Sequence, residues 1–186
     1  MLPRMSAEEE ALFLSFVKNS RDYVEFGTGG STFVASNNVE NSILSIDSSQ
    51  EWLDQVSTAC TLSRTKPELK FIDIGPTKEW GFPSDTSQKT RWPDYHSTIW
   101  EIPRSVDADL YLVDGRFRVA CFAQIVLHCK PTAIIGIHDF SSRPAYHCVR
   151  EMAREIATAG DMSFFLPLPK ADAAKNILRS FYNEPF

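Results

Sequence analysis

One stretch constrains the fold more than any other. A short strand pattern, Asp22-Tyr-Val-Glu-Phe26, runs without a break into Gly27-Thr28-Gly29-Gly30-Ser31. Glycines directly after a strand let the backbone turn sharply and come close to a ligand that side chains would exclude. A helix pattern at 31–38 follows, then a second strand at 42–47 that ends on Asp47. A strand, a glycine turn, a helix and an acid-terminated strand make up the opening unit of a nucleotide-binding α/β fold.

The rest of the chain keeps the alternation. Before the glycine turn, residues 6–18 read as a helix, with Ser6 and Glu9 at capping-box spacing and Leu12, Phe13, Phe16 and Val17 on one face. Ser48 with Glu51 predicts a capped helix burying Trp52, Val56, Ala59 and Cys60. Further strands are predicted at 69–74, 109–113, 133–138 and 162–166. Helices are predicted at 117–129, with Phe122, Ile125, Val126 and Cys129 inward, and from Pro144 onward with Val149, Met152, Ala153 and Ile156 inward. The segment carrying Ala174, Ile177, Leu178 and Phe181 reads as a helix, with 177–182 as an alternative strand. The expected architecture is a doubly wound, mainly parallel sheet with helices on both faces, one domain spanning 1–186.

In such sheets ligands bind beyond the carboxyl ends of the strands, where the strand order reverses. Glu25, Asp47, Asp73, Asp114, His138 and Asp139 all fall at those ends. Asp47 lies 20 residues after Gly27, where a carboxylate can take the hydroxyls of an adenosine ribose. Dinucleotide enzymes share that spacing, so an NAD-dependent oxidoreductase is one alternative. Two residues tell against it. The third glycine of the dinucleotide fingerprint is Thr32, and Glu25 stands where a pyrophosphate would be repelled. A carboxylate suits an ammonium or sulfonium ligand better.

Taken together, Glu25-Phe-Gly27-Thr-Gly29-Gly30-Ser31, the acidic end at Asp47, Val113-Asp114-Gly115 and Ile137-His138-Asp139 resemble the Rossmann-like S-adenosylmethionine-dependent methyltransferases. Within that superfamily they look like bacterial methyltransferase-like proteins of unknown substrate. The likeness covers roughly residues 20–150. It implies S-adenosyl-L-methionine as cofactor, with Glu25, Gly27, Gly29 and Ser31 around its methionine part, Thr28 also cofactor-binding, Asp47 on the ribose, and Asp73 or its neighbour near the adenine. It departs from the family at Pro131-Thr132-Ala133, where a Pro-Gly-Gly turn is usual. The usual seventh strand also has no obvious place, so a shortened C-terminus is expected.

Methyl transfer relies mainly on proximity and alignment, and a base is needed only when the acceptor carries a proton to lose. Asp114, His138 and Asp139 are the catalytic candidates, with His96 as a further base. Arg116, Arg118 and Arg143 follow the fourth and fifth strands; facing inward, they would imply an anionic substrate. Arg116, Arg143 and Trp92 are taken as substrate-binding. Catechol-type O-methyltransferases place magnesium ligands at similar strand ends, but Phe140 stands where a further amide ligand belongs, so no metal is expected.

Between the third and fourth strands lies a polar stretch containing Trp80, Trp92, Tyr95 and Trp100. Pro83 and Pro93 interrupt any helix there, and residues 77–96 are expected to form a mobile lid. The net charge of −5 argues against a nucleic-acid partner. Cys60, Cys121, Cys129 and Cys148 lack zinc spacing and read as free thiols. No leader or spanning segment is evident, so a cytoplasmic protein without a membrane partner is expected. An amino-directed nucleic-acid motif after the fourth strand and a Pro-Cys nucleophile are both lacking. That leaves the hydroxyl of a small molecule or glycan as the favoured acceptor. Homo-oligomerisation stays open, as does a non-catalytic Rossmann-like binding module.

Overall fold

The computed structural model describes residues 1–186. Seven strands form one sheet in the order β3-β2-β1-β4-β5-β7-β6. They are β1 (Asp22–Phe26), β2 (Ser42–Asp47), β3 (Glu68–Phe71), β4 (Leu110–Val113), β5 (Ile134–Ile137), β6 (Ala153–Ala159) and β7 (Met162–Pro167). The first five run parallel, and β7 pairs antiparallel with both β5 and β6. Chain order reverses between β1 and β4, so a crevice opens above their carboxyl ends.

The central strands are buried on both faces, as their near-continuous apolar runs require. Tyr23, Leu110, Leu112 and Phe164 face a cluster with Phe13, Val17 and Ala35, from α1 (Ala7–Val17) and α2 (Gly30–Asn38). Their neighbours Val24, Tyr111, Val113 and Phe165 point the other way, into a larger cluster under α5 (Arg118–His128) and α6 (Ala171–Phe181). This alternation follows from the two-residue period of a strand. Phe122 of α5 meets Phe165 edge-on, with ring centroids 5.4 Å apart. Burying a side chain of that size contributes about 1.5–3 kcal/mol.

Ser6 and Glu9 form the predicted capping box on α1. The helix α3 (Gln50–Ala59) is capped by Ser49, not Ser48, and buries Leu53 and Val56 while Trp52 stays 37% exposed. The larger correction lies near the C-terminus. Pro144 opens only a short 3-10 helix, Pro144–Glu151, and the segment expected to continue it is the strand β6. The sheet therefore has its seventh strand, joined to β7 across Gly160-Asp161, while residues 177–181 lie in α6. A register shift between Glu155 and Ala157 breaks the alternation that would have marked β6 as a strand.

The stretch from 77 to 105 is not structureless. It carries short 3-10 turns and one turn of α-helix, α4 (Asp94–Ser97). Trp92, Tyr95 and Ile99 belong to the main core, and Trp92 and Tyr95 both pack on Phe117. The expected lid is thus anchored along its second half. No helix is long and apolar enough to cross a membrane. All four cysteines are free, with Cys60 and Cys121 buried.

Candidate active site

A cleft of about 670 Å³ lies over the carboxyl ends of β1, β2, β4 and β5, within the range of small-ligand pockets. Its floor is the glycine turn. Gly27 has φ +102, and any side chain on it would run into the backbone of Gly115. The turns after β1 and β4 therefore touch, which is possible only without a Cβ. A Cβ on Gly29 would instead meet nothing within 4 Å, so this residue leaves its cleft side open.

Glu25 does not reach the cleft, which corrects its expected place beside the ligand. It is fully buried beneath the turn, where its carboxyl accepts hydrogen bonds from Tyr23, Ser31, Thr32 and Ser45. Burial raises its pKa to about 7, against the opposing pull of those hydroxyls. Its role in the geometry is to tie the helix start of α2 to β1 and β2. Ser31 lines the cleft, but its hydroxyl is spent on Glu25.

Asp47 does face the cleft. Its Oδ2 accepts the N–H of Thr28 at 3.1 Å and its Oδ1 that of Ser49 at 2.9 Å. Each oxygen keeps one acceptor direction for a hydroxyl. Burial raises its pKa to about 6 despite those bonds. Trp52 donates its indole N–H to the Thr28 carbonyl at 2.6 Å and lines the cleft. The helical pattern had placed this ring in the core; its first-turn position beside Asp47 was the overlooked signal. Asp73 lies off the cleft, pairing with Arg91 at 2.8 Å and accepting the Gly75 N–H. Asp73, expected near the adenine, is two residues past the end of β3 and is not among the residues that line the cleft.

The opposite wall carries the predicted catalytic residues together. His138 Nδ1 is 3.1 Å from Asp114 Oδ1, and its Nε2 is 3.6 Å from Glu9 Oε2. Burial alone would lower the histidine pKa, but the hydrogen bond and charge of Asp114 and the charge of Asp139 outweigh it, so the pKa rises. Arg118 fills the space between the two aspartates. It reaches Asp114 at 3.3 Å and Asp139 at 2.9 Å, and it donates to the His138 and Gly115 carbonyls. Arg143 adds a second contact to Asp139 at 2.8 Å. Asp139 itself has φ +56, a strained conformation that aspartate tolerates better than most residues.

Two expected contributors lie elsewhere. Trp92 is 5% exposed and packs in the core, so it cannot bind substrate from there. His96 is buried against Tyr182 and Gln124, away from the cleft. Besides Trp52, sequence reading did not single out Arg4, Glu9 from α1, Lys78, or Phe82, whose ring lies 4.0 Å from the Arg116 guanidinium carbon. Of these last four only the capping-box acid Glu9 had a readable signal, and that signal pointed to helix capping.

Comparison with solved structures bears on the fold. A methyltransferase-like protein from Silicibacter pomeroyi superposes with a TM-score of 0.86 at 25% identity, covering 98% of this chain and 97% of that one. The chain has the fold of the Rossmann-like methyltransferases. Precorrin 8w decarboxylase from Methanobacterium thermoautotrophicum matches this methyltransferase fold at a TM-score of 0.58 and 16% identity, over 90% and 94% of the two chains. An O-methyltransferase from Bacillus cereus, solved in complex with SAH, matches at 0.54 and 12%, over 89% and 84%. No protein-family model matches the chain, and neither does any curated protein sequence.

Proposed function

We propose that the cleft binds S-adenosylmethionine and that the protein transfers its methyl group to a hydroxyl of a small-molecule or glycan acceptor. The observation that carries this reading is Asp47: a cleft-facing carboxylate with spare acceptor capacity, beside a glycine turn, at the switch in strand order. The residues present fit an adenosyl ligand. Asp47 takes the ribose hydroxyls, Trp52 offers a flat apolar face to the adenine, and Gly29 leaves room for the methionine portion.

The same turn is ill suited to a dinucleotide. A pyrophosphate would need the free N–H groups at the start of α2, yet the Gly29 N–H is already given to Thr32 Oγ1 at 2.9 Å. Thr32 in place of a third glycine thus removes a phosphate donor.

When bound, the cofactor supplies an activated methyl group on a good leaving group. The chain's own residues then orient the acceptor and remove its proton. Asp114 is placed for that step: its Oδ1 is held by His138 and Arg118, while its Oδ2 is left without a protein partner. His138 and Arg118 hold Asp114 in register; Asp139 fixes Arg118 and Arg143.

Thermal melting with adenosylhomocysteine and with NAD tests the reading. A ligand at 100 times its Kd adds about 2.7 kcal/mol, and each kcal/mol is worth about 2–4 °C for a domain of this size. The expected shift is roughly 5–10 °C with adenosylhomocysteine and none with NAD; the reverse pattern sinks the proposal. Asp47→Ala should weaken adenosylhomocysteine binding by about ten- to a hundredfold, since a charge-assisted hydrogen bond is worth about 1.5–3 kcal/mol.

A further inference from the structure

Five cationic side chains line the cleft (Arg4, Lys78, Arg116, Arg118 and Arg143), against three carboxylates (Asp47, Asp114 and Asp139). This surplus occurs in a chain whose net charge is −5, so the cleft is set apart from the rest of the surface. The five are not equivalent. Arg118 and Arg143 are committed to Asp114 and Asp139. Arg4 and Lys78 are exposed on the rim and take part in no ion pair; Arg4 lies over Trp80.

Arg116 is different from all of them. It is only 6% exposed, yet its Nε and Nη1 have no hydrogen-bond partner and no carboxylate lies within ion-pair distance. Phe82 covers one face of the guanidinium at 4.0 Å. Burial, followed by the charges of Arg118 and Arg143, lowers its pKa. A buried, unpaired guanidinium is costly to keep. Its planar fork matches the oxygens of a carboxylate or phosphate, which it grips by two parallel hydrogen bonds.

We propose that Arg116 is an oxyanion-binding residue and that the methyl acceptor carries a carboxylate or phosphate group. The acceptor half of this statement rests on the methyltransferase reading; the anion site itself does not. Lys78 and Arg4 at the rim then draw the anionic acceptor toward the cleft, an effect that weakens with added salt.

The test uses the full chain, inorganic phosphate and acetate as probes, and adenosylhomocysteine as a separate ligand. Calorimetric titration is run at constant ionic strength set by chloride, on wild type, Arg116→Gln and Arg116→Lys. The proposal expects phosphate or acetate to bind wild type and to bind Arg116→Gln about ten- to a hundredfold more weakly. Adenosylhomocysteine affinity should change far less in that variant, by no more than the loss of the Arg116 charge acting on Asp47 allows, and equally for 5′-methylthioadenosine. Arg116→Lys keeps the charge but loses the fork, and should fall between. Because the arginine lacks a partner, Arg116→Gln without ligand should melt at or above the wild-type temperature, so a folding failure is not expected.

Four results overturn the proposal. Neither probe binds wild type, or both bind Arg116→Gln equally well. Arg116→Gln melts several degrees lower, which would mean that the guanidinium serves the fold. Arg116→Gln weakens adenosylhomocysteine while leaving 5′-methylthioadenosine, which lacks the carboxylate, unaffected; the arginine then holds the cofactor. Conversely, Arg116-dependent phosphate binding by a protein that ignores adenosylhomocysteine would uphold the anion site and remove the methyltransferase reading.

Discussion

The two sides of the cleft hold their strand-end carboxylates by different means. Over β1 and β2, Glu25 and Asp47 are satisfied without any ion pair: four hydroxyls surround the first and two backbone N–H groups hold the second. Over β4 and β5, Asp114 and Asp139 are bound to Arg118, Arg143 and His138. The wall over β1 and β2, neutral in the sense that it holds no ion pair, suits uncharged groups such as ribose hydroxyls. The ionic wall holds charge in fixed positions beside the proposed transfer site, where pre-set electrostatics would aid a reaction.

The sharpest way to break this comparison is Arg118→Met. Its side chain is 4% exposed and serves two carboxylates and two carbonyls at once. Removing one partner of a buried ion pair costs about 3–5 kcal/mol. The aspartates are partly solvated, at 28% exposure, so the lower end applies. A denaturant melt should show a loss of about 3 kcal/mol, or roughly 6–12 °C in Tm. A loss below about 1 kcal/mol would mean that water can replace the guanidinium, and the two walls would then differ in charge but not in rigidity.

Next in size, group by group, is the response to pH, where the walls fail for opposite reasons. The Glu25 pKa is raised from 4.5 to about 7, so its contribution is full below 4.5 and lost as pH rises through 7, when a buried charge must form. The His138 pKa is raised above 6.5, so its contribution is full below 6.5 and lost as pH rises through the folded value, when a charge between carboxylates disappears. Asp47, raised by burial from 3.8 to about 6, loses its contribution in the same direction. Stability should therefore decline from pH 5 to above pH 7 by several kcal/mol, on the order of 3–5 in all. Glu25→Gln should flatten the curve between 4.5 and 7, and His138→Gln above 6.5. If Glu25→Gln leaves the acidic part unchanged, the carboxyl is already ionised within its ring of hydroxyls.

The neutral wall was also the harder one to read from sequence. Strands 22–26 and 42–47 emerged with their observed bounds because their apolar runs are bracketed by turn and cap residues. The direction of Glu25 did not, although strand periodicity puts it on the same face as Tyr23, opposite Ser45 in the next strand. Its burial depends on a register that only pairing reveals. β6 was misread because Val149, Met152, Ala153 and Ile156 fit a helical spacing. The competing sign, Gly160-Asp161 as a hairpin turn with φ +54 at the glycine, lay outside that window. On the ionic wall Asp114, His138 and Asp139 were legible as strand-end residues. Arg118 was seen only as one of three loop arginines, since nothing local shows that it bridges two strands.

The smallest effect concerns what closes over the cleft. Lys89 and Arg91 precede Trp92 and Tyr95, which are fixed in the core, and Arg91 is further tied to Asp73. Lys78 instead sits in a tight turn on the cleft rim, held by its N–H to the Phe82 carbonyl and by the Thr77–Pro83 bridge. A ligand in the cleft touches the second group of residues and not the first. Ligand binding stabilises most the local structure that it contacts, so protection should be local as well. Trypsin cleavage after Lys78 should slow severalfold with adenosylhomocysteine, on the order of its effect on local opening, while cleavage after Lys89 and Arg91 stays the same. Mass-resolved limited proteolysis separates the sites. Protection at Lys89 without protection at Lys78 would show that the whole stretch from 77 to 96 moves as one lid. The anchoring by Trp92 and Tyr95 would then have to release when the cleft is empty, and the neutral wall would be the mobile one of the two.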